Sequence, residues 1–85
     1  MTKNLDQKQQ DLEETLGVMW DEVTEQALAF VATLSRLHRA EKNSDEYDEQ
    51  WGELATTLLL LKLKAVDAHK LMEKLEAIEA RKVKS

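Results

Sequence analysis

With 85 residues the chain has room for one small domain, whose core is marginal unless it is idealised or shared between subunits. It has no proline, no cysteine and two glycines, and 34% of its residues are charged, with a net charge of −5. Those counts exclude disulfides, thiolate metal sites and cysteine nucleophiles. They also argue against strand-and-turn folds and against a general nucleic-acid binder, whose affinity rests on lysines and arginines.

Residues 4–16 read as helix, with Leu5, Leu12 and Leu16 as a thin apolar stripe among Asp, Gln and Glu. Gly17 is a weak point, but the spacing Leu12, Leu16, Met19, Val23 passes through it without a change of phase, so a continuous helix to Glu41 is expected. The alternative is a bend at Gly17 that folds the N-terminal segment back as a third helix. From Val18 onward the stripe widens. Leu16, Val23, Phe30 and Leu37 repeat every seven residues, with Trp20, Ala27 and Leu34 on the adjacent row and Leu28 and Val31 beyond them.

Lys42-Asn43-Ser44-Asp45 is the break. Asn tolerates a left-handed backbone, Ser or Asp caps a following helix, and the acids Asp45, Glu46, Asp48 and Glu49 suit a helix N-terminus. A connection this short joins antiparallel neighbours. The second helix is expected from about 45 to 82, on a seam of Tyr47, Trp51, Leu54, Leu58, Leu61, Ala65, Ala68, Met72 and Leu75.

The sequence therefore predicts an all-α fold, an antiparallel helical hairpin of two long helices (about 4–41 and 45–82). It is read as one domain over 1–85, with 1–4 and 83–85 frayed. The expected hairpin core is Trp20, Val23, Phe30, Leu34 and Leu37 against Trp51, Leu54, Leu58, Leu61, Met72 and Leu75.

Apolar residues are left over after one hairpin seam is filled. Leu59, Leu60, Leu63, Val66, Leu71 and Ile78 fall on other faces of the second helix, and are expected to meet an oligomer or partner. A homodimer forming a four-helix bundle covers such faces most simply, and an amphipathic helix of another protein is the alternative occupant.

Chemistry is sparse. His69 and Glu73 lie one turn apart, as two metal ligands would, but the Glu-x-x-His spacing of di-iron bundles is absent. The carboxylates Glu13, Glu14, Asp21, Glu22 and Glu25 have the spacing of an exposed, solvating face. The basic tail residues Arg81, Lys82 and Lys84 suit a helix C-terminus. No cofactor, metal or catalytic residue is assigned, no nucleic acid is expected as a partner, and the Leu58–Leu61 run is too short for a membrane span. A polar N-terminus without the apolar run of a signal peptide, and the lack of cysteine, lead to the expectation of a cytoplasmic protein.

In outline the chain resembles the type III secretion needle subunits and their small co-chaperones. Those are short helical hairpins with a polar turn followed by aromatic and leucine positions, as in Asn43-Ser44-Asp45-Glu46-Tyr47 and then Trp51. The likeness covers about residues 25–80, and the prolines of the needle turn are missing. It implies a chaperone or adaptor. The expected function is a non-catalytic interaction module, a small homodimeric adaptor, chaperone or regulator. The alternatives are a metal- or ligand-binding bundle using His69 and Glu73, and an acidic inhibitor of a nucleic-acid-binding protein.

Overall fold

The computed structural model describes residues 2–84, with side chains described over 6–82. Two helices, α1 (Thr2–Arg39) and α2 (Asp45–Lys84), pack along each other as a hairpin measuring 62 × 17 × 14 Å. Each helix runs two residues further at its outer end than expected, and α1 stops at Arg39, two residues short of the expected end at 41. Met1 and Ser85 lie outside the described residues, as do the side chains of Leu5 and Lys84. Helix α1 passes through Gly17 without interruption, so the three-helix alternative is not what the chain forms.

The turn is made by its own residues. Asn43 takes a left-handed backbone with φ of 69°, which asparagine tolerates better than most residues. Ser44 caps α2: its Oγ accepts from the Tyr47 backbone N–H at 3.1 Å and donates to the Glu41 carbonyl at 2.6 Å. Asp45, Glu46 and Asp48 fill the first turn of α2, while Arg36, His38 and Arg39 fill the last turn of α1. Both sets complement the helix dipoles.

The helices meet along a heptad seam. On α1 the inward positions are Leu12, Leu16, Met19, Val23, Gln26, Phe30, Thr33 and Leu37. On α2 they are Tyr47, Gln50, Leu54, Thr57, Leu61, Lys64, Ala68, Leu71, Leu75 and Ile78. Leu16, Ala68 and Leu71 form the buried cluster, packed by Leu12, Met19, Val23 and Leu75. Leu37, Ile78 and Thr33 are also buried.

Four of the nine residues of the expected α2 seam are therefore displaced, Ala65 among them. Leu54, Leu61 and Leu75 point inward as read, but Trp51, Leu58 and Met72 are exposed and give way to Gln50, Thr57, Lys64 and Leu71. Trp20, expected in the core, is 50% exposed. Leu71 and Ile78 show the reverse: expected on an outer face, they are buried in the hairpin at 7% exposure each.

Register follows from the polar groups along one edge. Lys64 Nζ donates to Glu22 Oε2, and Arg36 Nε donates to Gln50 Oε1 at 3.0 Å. Glu22 therefore lies level with Lys64 and Arg36 with Gln50. The Glu22 carboxylate, first through that hydrogen bond and then through its charge, raises the Lys64 pKa above the ordinary lysine value.

Candidate interaction face

A pair of helices has two broad sides. On one, Arg36 Nη2 donates to Thr33 Oγ1 at 3.1 Å and stands 3.5 Å from Glu53, while Glu22 holds Lys64. An open groove runs along this side near the turn, between Ala29, Ala32 and Arg36 of α1 and Gly52, Glu53 and Thr56 of α2. It is a polar side, bordered by long charged side chains.

The other side is different in kind. At the turn end a shallow hollow is lined by Leu34, Leu37 and His38 of α1 and by Tyr47, Trp51 and Leu54 of α2. Tyr47 and Trp51 stack there with centroids 6.2 Å apart. Following the heptads away from the turn, this side of α1 carries Leu34, Val31, Ala27, Thr24, Trp20 and Gly17. The same side of α2 carries Trp51, Ala55, Leu58, Lys62, Ala65, His69 and Met72. Among the described residues of this stretch, Lys62 and His69 are the ionisable groups on that side.

At two of its three levels a large residue faces a small one, and at the level nearest the turn two large ones meet. The register brings Leu34 level with Trp51, Ala27 with Leu58, and Trp20 with Ala65. Trp51 is 58% exposed and Leu58 51%, so most of their apolar surface is in water.

The phase of the two apolar stripes is informative. On α1 the strongest stripe combines the rows of Leu16, Val23, Phe30, Leu37 and of Trp20, Ala27, Leu34. On α2 it combines the rows of Leu54, Leu61, Ala68, Leu75 and of Trp51, Leu58, Ala65, Met72. Neither is centred on the line between the helices. Both are turned from it by about 50°, and toward the same side, when each residue is placed at its helical angle. In a square array of four helices the central axis lies about 45° from the line joining neighbours.

Leu59, Leu60, Leu63 and Val66 are exposed, as expected, but they lie on the outer and polar-side surface of α2 rather than on this face. His69 Nδ1 stands 3.5 Å from Glu73 Oε1, with both side chains exposed. Among the described residues no third His, Cys, Asp or Glu joins them as a metal shell. His38 is at the turn end, far along the hairpin. The N-terminal carboxylates are dispersed along α1, with Glu22 committed to Lys64. No helix among the described residues is long and apolar enough to cross a membrane.

The rotated face is visible in sequence as the row Trp20, Ala27, Leu34 and the row Trp51, Leu58, Met72, which the heptad pattern alone places in the hairpin seam. Polar seam residues were missed because Gln50, Thr57 and Lys64 break the apolar pattern. The one signal for them was charge: Glu22 and Lys64 fall at matching levels once the hairpin is closed. Comparison of the chain with protein-family models, with curated proteins and with solved structures gave no match.

Proposed function

We propose that the protein is a non-catalytic interaction module, a small adaptor, chaperone or regulator whose hairpins pair through the two-tryptophan face into a four-helix bundle. The observation that carries this reading is the phase of the stripes: apolar residues on both helices are turned toward one shared side by the angle a four-helix bundle requires. Surface area points the same way. The single hairpin exposes 6725 Å², where an ordinary globular monomer of this mass exposes roughly 5,200 Å².

A second copy is the simplest occupant, because the face carries both a crowded level, Leu34 with Trp51, and levels with a small residue, Ala27 and Ala65, which a two-fold mate can offset against each other. Leu59, Leu63 and Val66 remain outside such a bundle, and they are the surface on which another protein's amphipathic helix would dock in the adaptor reading.

Val31 and Leu28 provide a matched test, since both are on α1 and 61% and 65% exposed, respectively. Val31 lies on the shared face and Leu28 on the outer surface. Val31→Asp is expected to give a helical monomer by light scattering, and Leu28→Asp to leave the dimer mass unchanged. Equal masses for the two variants would remove this face from the account.

A further inference from the structure

Resting on that self-association reading, we infer that the two hairpins lie antiparallel, each turn over the open half of the other, with the two-fold axis crossing at the level of Ala27 and Leu58. The rotated stripes have a finite length, and this is what selects the arrangement. They begin at the turn and stop where Glu13 lies level with Met72. From that level outward the same side holds Gln10 and Glu13 on α1 and Glu76 and Glu79 on α2, with Lys82 ion-paired to Asp6 beside Gln10 and Glu13. There the apolar residues face straight across the hairpin instead: Leu12, Leu75 and the buried Ile78. The chain switches from four-helix packing to two-helix packing at one point along its length.

Ala27 stands midway between Glu13 and Glu41, at the centre of the rotated segment. A second copy turned end over end about that level covers the rotated segment and nothing else. Its turn comes level with Glu13 and Met72, and residues 2–12 and 73–84 project as two-helix arms. The covered strip is about 40 Å long and 17 Å wide. Corrugated by side chains, that is comparable with the roughly 800 Å² per partner of a stable interface.

Packing and charge agree with this direction. Turned end over end, the Trp20–Ala65 level of one copy meets the Leu34–Trp51 level of the other, so each of these layers holds two tryptophans, one leucine and one alanine. The small Leu16–Ala68 level meets the large Leu37–Tyr47 level. In a parallel pair the Leu34–Trp51 level would be doubled on itself, giving one overfull layer. Glu13, Glu76 and Glu79 of both copies would also face one another, and juxtaposed like charges disfavour an interface.

The chain has no cysteine, so one introduced at Lys42, exposed in the turn, takes a spin label cleanly. Pulsed dipolar spectroscopy of Lys42→Cys, with the mass measured on the same sample, is expected to give a dimer with labels about 45 Å apart, from about 1.5 Å of rise per residue on either side of the axis. A dimer with labels closer than about 25 Å would overturn the antiparallel arrangement while leaving self-association intact. A folded monomer with no dipolar signal would overturn both.

Discussion

Leu71 and Leu58 are the same residue type on the same helix, and they separate the hairpin seam from the shared face. Leu71 is 7% exposed within the single chain and packs in the buried cluster with Leu16 and Ala68. Truncating it removes contacts made by the hairpin itself, so Leu71→Ala is expected to cost about 2–3 kcal/mol, the lower part of the usual range because two helices can close partly on the gap. Leu58 is 51% exposed. Full burial of a leucine is worth about 1.5–3 kcal/mol, so roughly half of that, about 1 kcal/mol, remains to be gained in the dimer by each copy. Two-fold symmetry doubles it, and Leu58→Ala is expected to weaken dimerisation by about 2 kcal/mol, or about 30-fold in Kd. Urea unfolding followed by helical circular dichroism, at several protein concentrations, distinguishes the two effects. The Leu71→Ala loss should persist at every concentration, whereas the Leu58→Ala loss should include a part that grows where the parent is dimeric. If Leu58→Ala lowers stability as much as Leu71→Ala with an unchanged dimer constant, the rotated-stripe reasoning is wrong.

Three further outcomes follow from the hairpin. Ser44→Ala removes the oxygen that accepts from the Tyr47 N–H and is expected to cost about 1 kcal/mol in chemical denaturation. Gly52→Ala adds a methyl group where nothing lies within 4 Å, and should stabilise α2 by about 1 kcal/mol in the same assay. The third is a pH dependence. The folded pKa of Lys64 is raised by Glu22, so the pair's contribution is fully present below the ordinary lysine value and is lost as pH rises through the folded one. Thermal unfolding of the parent at alkaline pH should therefore show a decline that is smaller in Lys64→Met.

Much of the fold was legible in the sequence. The four-residue break, its left-handed Asn43, the Ser44 cap and the antiparallel direction all follow from local chemistry, and local chemistry is written in consecutive residues. The seam was legible only in part, for a physical reason. A hydrophobic period gives the direction in which a helix is most apolar, and Trp51, Leu58 and Met72 mark that direction correctly on α2. It does not say how many neighbours share it. Taken as the contact of two helices, the stripe puts Trp51 and Leu58 in the seam and leaves Gln50 and Thr57 outside. Taken as pointing to the axis of four helices, it accounts for both. Leu71 and Ile78 looked like a separate row because the stripe turns back toward the neighbouring helix near the open end. The candidate face was thus present in the pattern, but its assignment needed the phase between the helices, which only the closed hairpin supplies.

The central claim is that this hairpin does not stand alone in water. Sedimentation equilibrium of the unmodified chain at micromolar concentration, with helicity recorded alongside, tests it most directly. The expected result is a helical species of twice the 9.8 kDa chain mass. A fully helical monomer across that range would contradict the account.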